Sequence, residues 1–346
     1  MPKGLIVVGM HRSGTSAVAG ALQQIGVDFG PGDKLLGADA GVNAKGYWEN
    51  RDVVMLNERL LLEMNSSWDD LLPLPKAWME RSGIQFIKAD IVELLQRDFS
   101  MLSTWAIKDP RLCKLLPVWQ TAFSELNIFS SYVIVVRHPF EVAKSLHKRD
   151  GMVLEKGLVL WLESMLSAVL HTADEERVFV SYAELLGDPV SVLKRVSHKF
   201  NLRFGESGLD AVKAFVSEDL QHQAAGEMGP TNTGLIGEWA VALFEVLSGC
   251  SRSAGECNMN RFYEIEAAFD SALLPFLPML RYDQKFEEIH LLRKNISEAT
   301  AARIEIAEAY QSLHASYNEL HGNYQDLHAS YNELHASYKD LQGVGK

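Results

Sequence analysis

The sequence predicts an α/β protein in which helices cover both faces of a parallel sheet, giving three layers, with a heptad coiled coil near the C-terminus. Three observations support this prediction. Short apolar, β-branched runs alternate with runs of helical periodicity over residues 3–200, and such alternation builds a parallel sheet with helices on both faces. A glycine-rich loop follows the first strand. A tyrosine and a leucine recur every seven residues from residue 310 onwards.

The first strand leads into the glycine-rich loop. Residues 5–16 read Leu-Ile-Val-Val-Gly-Met-His-Arg-Ser-Gly-Thr-Ser, and the apolar run stops at Gly9. Gly9 and Gly14 allow the backbone to fold tightly, so that loop N–H groups and the positive end of the next helix face an anion. The fold is therefore of the P-loop type. The candidate phosphate-binding residues are Gly9, His11, Arg12, Ser13, Gly14, Thr15 and Ser16.

The cation of this loop is unusual for a nucleoside-triphosphate site. In triphosphatases a lysine follows the second glycine and neutralises the outer phosphates, whereas here Thr15 and Ser16 follow Gly14. The fixed cation of the loop is Arg12, which precedes Gly14. This pattern favours a nucleotide that ends in a sulfonate or a single phosphate over Mg-ATP.

The segment Gly-Met-His-Arg-Ser-Gly-Thr-Ser resembles the loop of sulfotransferases that use 3′-phosphoadenosine 5′-phosphosulfate (PAPS), especially the bacterial branch and the Golgi-type enzymes with an Arg-Ser-Gly-Thr loop. Kinases and triphosphatases share such loops, so the resemblance depends on three further segments. It implies PAPS as the donor and adenosine 3′,5′-bisphosphate (PAP) as the product. It implies no metal, because loop cations and dipoles replace magnesium.

The first further segment is 45–50, Lys-Gly-Tyr-Trp-Glu-Asn, which precedes a helix predicted from about Asp52. A glutamate at a comparable place is the general base of Golgi-type sulfotransferases, so the resemblance implies that role for Glu49. The alternative is that Glu49 only complements the dipole of the following helix.

The second segment follows a short predicted strand, 105–107. Lys108-Asp109-Pro110-Arg111 then lies at the carboxyl end of that strand, where open α/β sheets bind ligands. The family carries a similar Lys-Asp-Pro, which implies that Lys108 lies near the transferred group. We expect Arg111 to lie on an exposed turn and Asp109 to pair with Arg111 or to cap the turn.

The third segment is Arg137-His-Pro, after the continuous apolar run 132–136, with Ser145 eight residues beyond Arg137. A guanidinium at a strand end grips phosphate bidentately, and a hydroxyl from the next helix adds a donor. This arrangement resembles the family's 3′-phosphate site. The 3′-phosphate distinguishes PAPS from ATP, so Arg137 and Ser145 carry the predicted donor specificity.

The remaining chain divides into two parts. Residues 204–285 are predicted to be helical, near 209–215, 235–247 and 261–274, and to form a lid or acceptor region of a sulfotransferase-like domain that spans 1–285. The glycine-rich stretch 226–237 is the candidate lid. Residues 286–342 are predicted to form one coiled-coil helix that would self-associate in parallel, with tyrosine at a and leucine at d from residue 310. In the preceding heptads the a positions are Ile289, Ile296 and Arg303, and the d positions are Leu292, Ala299 and Ile306. Trimers or shifted registers remain alternatives, because the repeats are nearly identical.

Composition predicts an ordinary soluble protein, since 47% of the 346 residues are hydrophobic. No apolar run approaches the roughly 20 residues that cross a bilayer and no leader precedes the first strand, so we expect a cytoplasmic protein without a membrane span. The net charge of −12 argues against nucleic-acid binding. Cys113, Cys250 and Cys257 are an odd number without metal-ligand spacing, and we expect inert thiols rather than disulfides.

The predicted reaction is transfer of a sulfuryl group from PAPS to the hydroxyl or amine of a small molecule or glycan. Arg12 and Lys108 would stabilise charge on the leaving oxygen, and Glu49 would accept the proton. His11 is a possible second base, with orientation of the loop as the alternative role. Two other functions stay open: a P-loop kinase or triphosphatase with Asp109 as a magnesium ligand, and an inactive scaffold whose coiled coil is the function.

Overall fold

The structure is a computed structural model. It describes residues 3–37, 46–203, 205–216, 233–252 and 257–280, together with single positions and short runs from 292 to 337. The chain divides into two units, Met1–Leu277 and Pro278–Lys346. The first unit contains the sheet and the predicted site, and the second contains the heptad repeat.

The first unit is built on four parallel strands, in the order β2-β1-β3-β4. The strands are β1 Lys3–Val8, β2 Thr104–Lys108, β3 Phe129–Val136 and β4 Glu176–Ser181. In the register of the central strands, Leu5 of β1 lies opposite Ala106 of β2 and Ser131 of β3. The predicted α/β class with a parallel sheet is confirmed.

Helices pack on both faces because β1 is apolar on both. Ile6 and Val8 belong to one buried cluster, whereas Leu5 and Val7 belong to another; successive strand residues point to opposite faces. Against the first face lie α2 Arg51–Glu63, α3 Ser82–Phe99, α4 Leu112–Glu125, α5 Pro139–Asp150 and α6 Leu154–Leu170. Against the second lie α1 Thr15–Gln24, α7 Tyr182–Gly187, α8 Pro189–Phe200 and α9 Glu206–Phe215.

Two later helices complete the first unit: α10 Gly234–Arg252 and α11 Met259–Leu273. Together with α9, they agree with the three helices predicted for 204–285. Of the predicted lid 226–237, residues 226–232 lie outside the described residues, and the rest begins α10. Within the described part of the chain, α10 is the one helix long and apolar enough to cross a membrane. Its buried Ala240, Leu243 and Leu247 pack into the first-face cluster.

The expectation of inert thiols is wrong for Cys250 and Cys257, which form a disulfide. Their Cα atoms lie 5.2 Å apart, within the usual range for a disulfide. Cys250 lies in the last turns of α10 and Cys257 just before α11, so the packing of these two helices brings the thiols together. An odd cysteine count does not reveal such proximity. Cys113 is free and buried, as expected.

The described residues from 292 to 337 are helical and exposed. The tyrosines and leucines of the repeat form what we call the Tyr/Leu seam: Tyr310, Leu313, Tyr317, Leu320, Tyr324, Leu327, Tyr331 and Leu334. These side chains are 61–71% exposed. Three of the tyrosines stack on the histidine four residues later, with ring centroids 6.1–6.2 Å apart. Of the other predicted seam positions, Ile289, Ile296, Tyr338 and Leu341 lie outside the described residues.

Candidate functional site

The glycine-rich loop connects the end of β1 to α1, and Gly14 is the cap of that helix with φ 89°. A Cβ atom at Gly14 would lie 2.1 Å from Cδ2 of Tyr182, so only glycine fits both the backbone and the space. No side chain caps the N-terminus of α1, and its first turn has no acidic residue. The uncapped N–H groups and the positive dipole end of this turn therefore favour an anion.

Arg12 connects the loop to α5. Its backbone is left-handed, with φ 68°, and its Nε donates a hydrogen bond to Oγ of Ser145 over 2.9 Å. The Arg12 carbonyl accepts a hydrogen bond from Nη1 of Arg137 over 3.0 Å. Arg12, Arg137 and Ser145 come from the loop, the end of β3 and α5. The structure thus brings together three residues that the sequence predicted as ligands, and we call them the arginine–serine group.

Arg137 is held from two further sides. Its Nε donates to Glu141 over 2.9 Å, one helical turn along α5, and its guanidinium lies 4.7 Å from the ring centroid of Tyr182. The residue is only 6% exposed. Tyr182 is thus a packing residue that contacts both Gly14 and the predicted phosphate ligand.

Arg12 is less compensated in charge than Arg137. Among the described residues, no carboxylate lies within ion-pair distance of the Arg12 guanidinium. Burial lowers the pKa of Arg12, and the positive charges of Arg149 and Arg137 lower it further. A group that is partly desolvated and surrounded by like charge is stabilised by an anion. The arginine–serine group is therefore suited to bind a phosphate.

Lys108 forms a second group on the other side of the loop. Its Nζ donates to Oγ of Ser16 over 3.0 Å, to the carbonyl of Tyr47 over 3.1 Å and to Oε1 of Glu49. Lys108 and Glu49 are 3% and 7% exposed, so the ion pair is buried. We call Lys108, Glu49 and Ser16 the lysine–glutamate group. Two of the three residues predicted to act at the transferred group, Lys108 and Glu49, are thus in direct contact. The third, Arg12, contacts Ser145 and Arg137 instead.

Glu49 is placed by the start of α2. Asn50 caps this helix, its Oδ1 accepting hydrogen bonds from the N–H groups of Asp52 and Val53, and Glu49 is the residue before the cap. Burial raises the pKa of the Glu49 carboxyl, although the neighbouring Lys108 ammonium lowers it. A carboxyl with a raised pKa is a better proton acceptor than an ordinary one. The environment of Glu49 therefore suits a general base as well as the partner of Lys108 in an ion pair.

The order of the strands gives the separation of the two groups. Lys108 ends β2 and Arg137 follows β3, and β1 with its loop lies between them. Two strand spacings are about 10 Å. An elongated ligand with an anionic group at each end would therefore lie across the loop, with one end at each group.

Asp109 and Arg111 belong to the turn after β2. Asp109 is fully buried, and its Oδ1 accepts hydrogen bonds from the backbone N–H and Nη1 of Arg111. Its Oδ2 accepts one from Nδ2 of Asn57 over 2.9 Å. The predicted pairing of Asp109 with Arg111 is confirmed. Arg111 is not an exposed turn residue, because it also pairs with Glu58 and its side chain is only 15% exposed.

The ring of His11 contacts Trp68, with ring centroids 4.5 Å apart. Burial lowers the pKa of His11 well below its usual value, and the nearby Arg111, Arg149 and Lys108 lower it further. The imidazole is therefore neutral at physiological pH. A neutral ring packed on Trp68 fits the role of orienting the loop, the alternative to a second base.

Several residues of the site are absent from the sequence predictions: Tyr47, Asn57, Trp68 and Glu141. The spacing of Arg137 and Glu141, four residues apart on a helix, is a detectable ion-pair signal. Tyr47 contributes a backbone carbonyl, so its residue type carries no signal at all. Asn57 and Trp68 contact site residues through the tertiary packing of α2 and of the segment after it, which the sequence does not reveal.

Comparison with protein-family models gives no match for this chain, and comparison with curated proteins gives none. Solved structures to which it is similar include the sulfotransferase domain of the Synechococcus PCC 7002 olefin synthase, at 18% identity and TM-score 0.42 over 71% of this chain and 95% of that one. Sulfotransferase STF9 from Mycobacterium avium is 14% identical to this chain, with a TM-score of 0.40, over 78% of this chain and 76% of that one. Mouse sulfotransferase SULT7A1, solved in complex with PAP, is 16% identical to this chain, with a TM-score of 0.35, over 65% of this chain and 68% of that one.

Proposed function

We propose that this protein is a sulfotransferase that moves a sulfuryl group from PAPS to an acceptor hydroxyl or amine. The observation that carries the proposal is the convergence of Arg12, Arg137 and Ser145 on one side of the loop. An uncompensated guanidinium beside a second guanidinium and a hydroxyl suits a phosphate dianion. The loop itself suits a second phosphate, and the nucleotide that needs both positions is a 3′,5′-bisphosphate.

The lysine–glutamate group would perform the transfer. The acceptor oxygen or nitrogen forms a bond to sulfur, the bond between sulfur and the 5′-phosphate oxygen breaks, and the acceptor proton passes to Glu49. Charge builds on the leaving oxygen, as in phosphoryl transfer. Because Glu49 is paired with Lys108, protonation of Glu49 weakens that pair and leaves the ammonium available to the leaving oxygen. Base and cation would thus act in one step.

A kinase or triphosphatase is less well supported. Its magnesium would require a carboxylate at a strand end, and Asp109 is the candidate. Both oxygens of Asp109 already accept hydrogen bonds in a fully buried position. A magnesium ligand needs a free oxygen that faces the phosphates, so Asp109 does not fit this role.

Calorimetry with PAP, 5′-AMP and ATP, in the presence of EDTA, tests the donor assignment. PAP and 5′-AMP differ only in the 3′-phosphate, so their affinity ratio measures the contribution of the arginine–serine group. We expect PAP to bind more tightly than either of the other nucleotides. In Ser145→Ala the ratio of PAP to 5′-AMP affinity should fall about tenfold, since a hydrogen bond to a charged group contributes about 1.5–3 kcal/mol.

The matched control is Ser167→Ala, which removes a hydroxyl from α6, a helix that contributes no residue to the arginine–serine group. It should leave the ratio of PAP to 5′-AMP affinity unchanged. Tighter binding of Mg-ATP than of PAP, or an unchanged ratio in Ser145→Ala, would refute the donor assignment. If PAP binds as expected, transfer of labelled sulfate from PAPS to a panel of small-molecule and glycan acceptors then separates the enzyme from an inactive scaffold.

We also propose that the chain self-associates through the Tyr/Leu seam. A run of about 57 residues would extend about 85 Å as a helix, and every described seam residue is exposed. Between residues 310 and 342 the flanking e and g positions carry His, Gln, Ser and Asn and no residue with a permanent charge. Charged flanks select partners in coiled coils, so a seam without them favours an identical helix.

A further inference from the structure

A buried chain of hydrogen bonds joins α4, α2 and the turn after β2. Nε1 of Trp119 donates to Oδ1 of Asn57 over 2.8 Å, and Nδ2 of Asn57 donates to Oδ2 of Asp109 over 2.9 Å. Asp109 in turn holds Arg111. Asn57, Asp109 and Trp119 are all fully buried. The proposed transfer reaction uses none of these three side chains directly.

The residue type at position 57 is determined by its two partners. The indole N–H of Trp119 is a donor only, and the carboxylate of Asp109 is an acceptor only. An amide offers one acceptor and one donor, so asparagine satisfies both partners at once. An aliphatic residue would leave two buried polar groups unpaired, which costs free energy for each group.

These hydrogen bonds join the segment next to Glu49 to the segment next to Lys108. Glu49 directly precedes Asn50, the cap of α2, and Asn57 lies within α2. Lys108 is the last residue of β2, and Asp109 is the next residue. The hydrogen bond between Asn57 and Asp109 therefore joins the helix that follows the proposed base to the turn that follows the proposed cation.

We infer that Asn57 is a positioning residue that sets the separation of Glu49 and Lys108 through its hydrogen bond to Asp109. The inference rests on the proposed function, because the importance of this separation follows from the roles given to Glu49 and Lys108. Asn57 touches neither donor nor acceptor. Its effect is confined to the part of the site that faces the sulfonate.

The variant Asn57→Asp tests this inference with little change in shape. The introduced carboxylate keeps the acceptor for Trp119 but cannot donate to Asp109 when both carboxyls are ionised, and the two carboxylates then repel each other. When the pair shares one proton, the hydrogen bond forms again, and like-charged carboxylates in contact bind that proton well above the usual pH range. The disturbance of Lys108 should therefore be large at pH 8 and smaller at pH 6.

Affinities for PAPS and PAP, measured by calorimetry without acceptor, separate positioning from general damage. In the proposed function Lys108 faces the sulfonate, which only PAPS carries. It is released from Glu49 to the 5′-phosphate oxygen only when the acceptor proton passes to Glu49, so without acceptor PAP binding should depend little on Lys108. For Asn57→Asp at pH 8 we expect PAPS affinity to fall about tenfold relative to the unaltered protein while PAP affinity stays within about twofold, a difference of about 1.4 kcal/mol. At pH 6 most of the loss of PAPS affinity should disappear.

Val196→Ala in α8 is the control for lower stability, because Val196 is buried in the second-face cluster. This variant should leave the ratio of PAPS affinity to PAP affinity unchanged. Trp119→Phe is the second variant, since it deletes the N–H that orients Asn57 and keeps an aromatic ring. Trp119→Phe should lower PAPS affinity about threefold and leave PAP affinity unchanged. This loss is smaller than in Asn57→Asp, because the hydrogen bond from residue 57 to Asp109 can still form. The PAPS affinity should not recover at pH 6, because no added carboxylate titrates.

The outcomes distinguish the two proposals. Equal loss of PAPS and PAP affinity in Asn57→Asp, or a PAPS loss that is the same at both pH values, would show a purely structural role and overturn the inference. If Asn57→Asp does not fold, an unchanged ratio of PAPS to PAP affinity in Trp119→Phe overturns it. Failure of the unaltered protein to bind either ligand overturns the proposed function first, and this inference with it.

Discussion

Arg12 and Arg137 face the same proposed phosphate but contribute different properties. Arg137 is paired with Glu141 and stacked on Tyr182, so its charge is largely compensated and its orientation fixed. Arg12 has no carboxylate within ion-pair distance in the described part of the chain, and Ser145 fixes its Nε. Arg12 therefore supplies the net positive charge, whereas Arg137 supplies the shape of the site. A lysine at either position would lose the planar fork that binds phosphate bidentately.

His11 gives a pH-dependent contribution to stability whose sign follows from its lowered pKa. Below the usual histidine pKa of about 6.5, an unfolded chain binds a proton that the folded His11 does not bind. Stability from this group is therefore present above that pH and decreases as the pH falls through it. The free energy of unfolding should fall by up to about 1.4 kcal/mol per pH unit below 6.5.

Urea unfolding at pH 7.5, 6.0 and 5.0 measures this slope. In His11→Gln the side chain does not titrate, so the pH slope should be smaller than in the unaltered protein, even if the variant is less stable at every pH. His198→Gln is the control, because His198 is exposed at the end of α8. Equal slopes for His11→Gln and the unaltered protein would contradict the neutral state of the folded His11 side chain.

The loop between β1 and α1 depends on an element distant in sequence, because Tyr182 of α7 fills the space beside Gly14. Gly14→Ala should therefore cost more than the backbone strain of a left-handed residue, which is about 1 kcal/mol. We expect a loss of about 2–4 kcal/mol in unfolding free energy, because overpacking adds about 1–3 kcal/mol. PAP binding should weaken as well.

Gly151 provides the matched control for this substitution. It also has a positive φ, of 70°, but a Cβ atom there would have no neighbour within 4 Å. Gly151→Ala should thus lower the unfolding free energy only by the cost of backbone strain, about 1 kcal/mol. Urea denaturation of both variants measures the difference, and equal losses would mean that the ring of Tyr182 moves aside at no cost.

The elements that sequence reasoning placed correctly are those that one stretch of chain determines. Lys108 and Arg137 lie at strand ends because their apolar runs stop there, and the loop glycines mark the turn into α1. The contacts between elements carry no such local signal. The pair of Lys108 with Glu49, the bond from Arg12 to Ser145 and the disulfide all depend on how helices pack onto the sheet.

At the scale of the whole molecule, the site is a local concentration of positive charge in an acidic protein. The net charge is −12, so the overall field repels a nucleotide with several negative charges. Arg12, Lys108 and Arg137 must therefore provide attraction at short range, where burial reduces screening. Added salt should weaken donor binding less than it does for a protein that attracts the nucleotide by its net charge.

The proposed self-association gives the last prediction. The full chain should have a mass of two or more chains in light scattering coupled to size-exclusion chromatography. Replacing Leu320 and Leu327 at d with lysine puts charges into the seam and should give the mass of a single chain.

The control replaces Asn318 and Gln325, which lie at the outward b positions, with lysine. It adds the same charge and should leave the assembly intact. Because all these variants keep the first unit unchanged, PAP affinity should be equal in all of them. A single-chain mass for the unaltered protein, or no effect of the d substitutions, would contradict association through the Tyr/Leu seam.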